Sequence, residues 1–98
     1  MPFFAVDYTY TTDAAALDEA RPAHRAYLSE RAAVGELVAS GPYVGANPGR
    51  ALLIFRAPNE DTVADWLSHD PFQQAGLVVA TAIAHWNPVI GILADQLD

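Results

Sequence analysis

The side chains best suited to moving a proton near neutral pH are the three histidines, His24, His69 and His85. Among the carboxylates, Asp70 has the most telling neighbours. It sits in SHDPFQQAGL, residues 68–77, directly before Pro71. Asp accepts well as a helix N-cap, and Pro at the first helical position loses nothing by lacking an N–H. The plain reading of Asp70 is therefore a cap; the chemical reading needs a partner brought to it by the fold. Arg21, three residues before His24, could present its fork to a carboxylate or enolate, or simply pair with Asp18. Ser40 could offer a hydroxyl, but no G-x-S-x-G elbow surrounds it, which leaves it as a pocket wall. His69 and His85 could join His24 and Asp70 around a metal, yet neither H-x-x-x-H nor H-E-x-x-H spacing occurs, so no metal is expected. No phosphate-cradling glycine motif is present, and no cofactor is expected.

The totals narrow the classes. The chain has 98 residues, twelve acidic against five basic, for a net charge of −7. Every basic residue is Arg, so Schiff-base chemistry on lysine is excluded, and an acidic chain without a basic run is a poor nucleic-acid binder. With no cysteine there is no disulfide framework and no thiolate metal site. MPFFAVDYTY has no positively charged leader region, and no run of eighteen apolar residues suggests a membrane span. A soluble cytoplasmic protein is the expectation.

The elements that must position these residues can be read from periodicity. FFAVDYTY (Phe3–Tyr10) is an aromatic and β-branched strand with Phe4, Val6, Tyr8 and Tyr10 on one face. Residues 14–37 carry Leu17, Ala20, Tyr27, Leu28 and Val34 near helical spacing. Pro22 either kinks that helix or starts a second one; a start at Pro22 would put His24 in a first turn, where the positive helix end opposes an imidazolium and a nearby carboxylate favours it. Residues 37–44 read as an edge strand, because Pro42 cannot donate to a ladder. ANPGR then suits a type II turn with Gly49 at positive φ. Residues 51–57 form an apolar strand, and Asn59 caps a second helix that directs Val63, Trp66 and Leu67 to the core and stops near Asp70. Residues 77–86 form a last strand, followed by a turn and a short apolar tail through residue 98.

The order is β-α-β-β-α-β, the ferredoxin-like α+β arrangement: a four-stranded antiparallel sheet with two helices on one face and the second and fourth strands outermost. The last two strands are apolar on both faces, so the uncovered face is expected to meet a second copy in a homodimer. Tyr27, Tyr43, Trp66, Phe72 and Trp86 are candidates for an apolar pocket or for core.

Taken together, RPAHRAYL (residues 21–28), Gly41-Pro42, DPFQQAGL (residues 70–77) and the late His85-Trp86 pair resemble the YCII-related (YciI-like) family over nearly the whole chain. The resemblance implies a single domain, a dimeric α+β barrel, and an active-site cleft whose histidine and aspartate fall on His24 and Asp70. An imidazole oriented by a carboxylate is a competent acid or base at neutral pH. Two functional readings follow. One is a cofactor-independent enzyme performing elimination, isomerisation or hydrolysis with His24 and Asp70 catalytic, and Arg21, Ser40, Tyr27, Phe72 and Trp86 around the substrate. The other is a non-catalytic domain that binds a small molecule in the same cleft. In either, one Asp70 oxygen would cap the turn at Phe72 or Gln73 while the other faces His24.

Overall fold

The computed structural model describes residues 1–96; Leu97 and Asp98, the end of the expected tail, lie outside the described residues. Its elements are β1 (Phe3–Tyr10), α1 (Ala14–Ala33), β2 (Leu37–Pro42), β3 (Arg50–Arg56), α2 (Glu60–Ser68), α3 (Pro71–Gln74) and β4 (Val78–Trp86), with a final 3-10 turn at Ile92–Gln96. The strands form one antiparallel sheet in the order β2-β3-β1-β4, which is the ferredoxin-like topology with the second and fourth strands at the edges.

Alternation along β1 decides what each face does. Phe4, Val6 and Tyr8 point to the helices and join Ala51, Leu53 and Phe55 of β3, Leu28 of α1 and Val63 and Leu67 of α2 in one buried core. Trp66 packs against it. Fully burying side chains of this size is worth about 1.5–3 kcal/mol each, which is why the register is fixed by this face. The opposite face presents Ala5 opposite Ile54 and Ala84, and Asp7 opposite Leu52 and Ala82. Its two ends are covered from within the chain. The Tyr43 hydroxyl donates to Asp7 Oδ1 at 2.8 Å, and Arg56 donates to the Gln96 carbonyl at 2.7 Å beside Phe3.

α1 runs unbroken through Pro22, capped by Asp13, whose carboxylate accepts the Ala16 N–H. Proline inside a helix costs about 3 kcal/mol, largely through a lost hydrogen bond to the residue four before it. Pro22 lies on the exposed side, where water can meet the freed Asp18 carbonyl, and the alanine-rich surroundings favour helix throughout. His24 therefore sits well inside α1, and the expected influence of a helix end on it falls away. Val34, expected inward, is instead the exposed C-cap, because Gly35 with φ 83° turns the chain there towards β2.

Between β2 and β3 the expected type II turn is not formed. The positive φ belongs to Gly45 (78°), the Asn47–Pro48 peptide is cis, and Gly49 is drawn alongside the sheet, its carbonyl accepting the Tyr10 N–H at 2.8 Å. Asn59 caps α2 as expected, with its side chain accepting the Thr62 N–H at 2.8 Å. The chain then restarts as α3, capped by Asp70, before Gly76 at φ 71° swings it into β4.

Candidate active site

One face of α1 and the edge strand β2 enclose an open cleft of about 660 Å³. Arg21, His24, Arg25, Leu28 and Ala32 recur at intervals of three and four along α1, which puts them in one stripe on that wall. The facing wall is β2, including Ser40, Gly41 and Pro42, and Tyr10, Ala51 and Phe72 also line the space.

His24, carried on α1, is held by α3 and its cap and, through Asp70, by β1. Its Nδ1 lies 2.7 Å from Asp70 Oδ1, and its ring stacks on Phe72 with centroids 3.8 Å apart and planes 6° from parallel. Asp70 is fully buried and His24 is 7% exposed. The Phe72 N–H donates to the same Oδ1 at 3.0 Å, while Oδ2 accepts the Tyr8 hydroxyl at 2.9 Å. The division of labour thus differs from the expected one: a single oxygen takes both cap and histidine, because a third donor, Tyr8, claims the other. A carboxylate surrounded by donors acts as acceptor, so Nδ1 is the nitrogen that bears the proton. Nε2 has no protein partner among the described residues and is left to the cleft. Such a ring can take a proton at Nε2, or return it, without losing its support.

The tyrosines answer to the same carboxylate. Burial, then the charge of Asp70, then the hydrogen bond to it push the Tyr8 hydroxyl far above the ordinary 10.0, so it stays a donor. Burial and Asp70 also raise Tyr10, against the opposing pull of Arg21, to about 12. Both groups hold their protons more tightly folded than unfolded. Their contribution to stability is therefore complete below pH 10 and is lost as pH rises beyond it, through about pH 12 for Tyr10. Denaturant titrations from neutral to alkaline pH are expected to show that decline. In Tyr8→Phe the decline should be shallower, from a starting stability lower by about 1–3 kcal/mol, since Asp70 Oδ2 loses its donor. An identical alkaline slope in the variant would contradict this role for Tyr8.

The expected site residues divide cleanly. His24, Arg21, Ser40 and Phe72 line the cleft, and Asp70 lies behind His24. Arg21 also pairs with Asp18, so both readings of that residue hold together. Tyr27 falls outside, because its hydroxyl donates to the Trp66 carbonyl at 2.6 Å and its ring packs against the core. Trp86 falls outside too: it pairs with Phe3 on the far face of the sheet, their rings edge to face at 6.5 Å. Tyr43 lies on that far face over Asp7. His69 bonds locally to the Asp65 carbonyl and His85 stacks on Phe4, and among the described residues no group of three or more His, Asp or Glu gathers as metal ligands. Three contributors escaped the sequence reading: Tyr8, Tyr10 and Arg25. For Tyr8 a signal existed, since a tyrosine on the inward face of a strand needs a buried partner for its hydroxyl.

A model of the YCII-related domain matches residues 1–87. The chain belongs to the YCII-related family. No curated protein sequence matches this YCII-related chain. Among solved structures it is similar to TftG, the 5-chloro-2-hydroxyhydroquinone dehydrochlorinase from Burkholderia phenoliruptrix in complex with 2,5-dihydroxybenzoquinone. Identity is 27%, the match covers 87% of this chain and 93% of that one, and the TM-score is 0.75. An antibiotic biosynthesis monooxygenase shares the fold at 13% identity, 92% and 100% coverage and a TM-score of 0.58. So does SnoaB, a cofactor-independent oxygenase from Streptomyces nogalater, at 10% identity, 92% and 94% coverage and a TM-score of 0.51. These neighbours share the ferredoxin-like architecture of this YCII-related chain.

Proposed function

We propose that this protein is an enzyme that transfers protons on a small organic molecule, in an elimination, isomerisation or hydrolysis. His24 Nε2 is the acid or base, Asp70 is the orienting carboxylate, and Arg21, Ser40 and Phe72 form the surroundings of the substrate. The observation that carries this reading is the buried chain Tyr8–Asp70–His24, with one imidazole nitrogen committed and the other facing the cleft. A surface histidine has no need of a buried carboxylate held by two further donors; a general base does. TftG supports it from outside, since a dehydrochlorinase by name removes hydrogen chloride, and removal of hydrogen chloride requires a base. Nothing in this scheme calls for a cofactor.

The test is turnover of small hydroxylated ring compounds carrying a leaving group, 5-chloro-2-hydroxyhydroquinone among them, followed as chloride release. His24→Asn is the informative variant, because the asparagine amide can keep a donor near the position of Nδ1 and so spare Asp70, while Nε2 is lost. Activity is expected in the wild type and a loss of about 10²–10⁴-fold in the variant. Full activity in His24→Asn would remove His24 from the mechanism.

The working unit we propose is a homodimer in the cytoplasm, built on the sheet face that the helices leave open. Val89, Ile90 and Ile92 follow β4 with exposures of 68%, 92% and 84%, and Ala82 and Ala84 are open on the sheet. Large apolar side chains left this exposed favour association. No helix among the described residues is long and apolar enough to cross a membrane. Light scattering at micromolar concentration is expected to give twice the subunit mass for the wild type and the subunit mass for Ala84→Arg. A monomeric wild type would contradict the proposal.

A further inference from the structure

The cleft has a charge that the rest of the protein lacks. Although the chain carries −7 with twelve carboxylate side chains, none among the described residues lines the cleft, and two of the five arginines do. Asp70 is sealed behind His24 with both oxygens engaged. The partners of the arginines sharpen the point. Arg21 pairs with Asp18, Arg31 with Glu36 and Arg50 with Asp7, and Arg56 bonds to Gln96. Arg25 makes no hydrogen bond or ion pair among the described residues, yet it lies on the cleft wall directly beside His24 and one turn from Arg21.

We infer that Arg25 is the anion-recognising residue of this cleft, supported by Arg21, and that the ligand is a small planar anion: a carboxylate, enolate or phenolate on an apolar body. Two guanidinium forks spaced one helical turn apart favour delocalised oxygens over a neutral polar group. Leu28, Ala51 and Phe72 supply the apolar surface against which the body of such a ligand rests. Tyr10 adds a hydroxyl that burial and Asp70 keep protonated up to about pH 12, hence a donor to the same anion. This inference names the substrate class of the site proposed above and rests on that site being the functional one.

Binding without turnover tests it separately from the acid–base reading. The probes are benzoate, and benzamide as its neutral counterpart, titrated to tens of millimolar into the isotope-labelled protein and followed through backbone amide shifts of residues 21–32 and 37–42. Benzoate is expected to move these amides saturably and benzamide to leave them in place, with benzoate binding weakening as salt is added. Arg25→Gln should raise the benzoate dissociation constant about tenfold or more, as loss of a charge-assisted hydrogen bond does, with an unchanged melting temperature because Arg25 supports no internal contact. Arg25→Lys, which keeps the charge without the fork, should fall between. Equal binding of benzamide, undiminished binding in Arg25→Gln, or no response to either probe each overturn the inference. Benzoate binding that needs Arg25, in a protein that exchanges no proton, leaves it standing and removes only the catalytic reading.

Discussion

Asp70→Asn is expected to lower turnover by about 10²–10⁴-fold, the range that a positioned acid or base contributes. The reason lies in counting donors. Asp70 receives three: Tyr8 Oη–H, Phe72 N–H and His24 Nδ1–H. An asparagine in the same place has one accepting oxygen and an NH₂ that must itself donate. The oxygen that keeps the Phe72 cap is also the one that His24 Nδ1 meets, so the NH₂ takes the place of Oδ2 and faces Tyr8. Tyr8 can turn its hydroxyl and accept, while His24 keeps an acceptor at Nδ1 but loses the negative charge that stabilises the imidazolium formed when Nε2 takes a proton. The fold should survive, with a cost of about 1–3 kcal/mol for the imperfect pairing. Imidazole ¹⁵N shifts of His24 at neutral pH check this directly. Both proteins should show a protonated Nδ1 and a bare Nε2, so that the lost turnover follows from the lost charge and not from a changed tautomer. Full turnover in the variant would show that Asp70 is a helix cap and no more.

Phe72→Ala should carry the largest stability cost, about 3–5 kcal/mol by urea denaturation. Its ring is 2% exposed, stacks on His24 at 3.8 Å and meets Tyr10 edge-on at 5.4 Å. Its backbone holds the same corner: the N–H donates to Asp70 Oδ1, and the carbonyl accepts the Leu77 N–H at 2.9 Å. Alanine keeps the backbone bonds but opens a ring-sized void against the imidazole, so the damage falls on packing and on the orientation of His24 together. Turnover should fall with stability, whereas Phe72→Leu, which refills part of the void, should recover more stability than activity, because no flat face then supports the ring. A loss under 1 kcal/mol in Phe72→Ala would contradict this account of how His24 is held.

Much of the fold is legible before any coordinates. The alternation in Phe3–Tyr10 and the apolar run of residues 51–57 mark strands, and Pro42 marks an edge, because each follows from local geometry. Pro22 was not decided by its own residue type: whether a proline breaks a helix depends on whether the carbonyl it frees can reach water, which is a property of the packed surface. Gly49 misled for a similar reason, since its carbonyl is claimed by Tyr10, far away in sequence. In the site, Asp70 announces itself through the Pro that follows it. Its partners do not, because β1, α1 and the α2–α3 corner meet only in three dimensions. Arg25 looks in sequence like any solvated helix charge, and only the emptiness of its surroundings sets it apart. Trp86 could have been placed correctly by strand parity: it pairs with Phe3, which faces away from Tyr8.

The most direct test of proton transfer by His24 is solvent deuterium exchange. A small hydroxylated ring compound or enolisable acid with an acidic C–H is incubated with the protein in D₂O, and loss of that proton signal is followed by NMR, so no complete reaction need be guessed. The wild type is expected to exchange the proton catalytically, with the rate collapsing in His24→Asn and in Asp70→Asn while both variants remain folded. Exchange at the uncatalysed rate across a panel of anionic compounds that demonstrably occupy the cleft would contradict the assignment of His24 as acid and base, and would leave a binding domain.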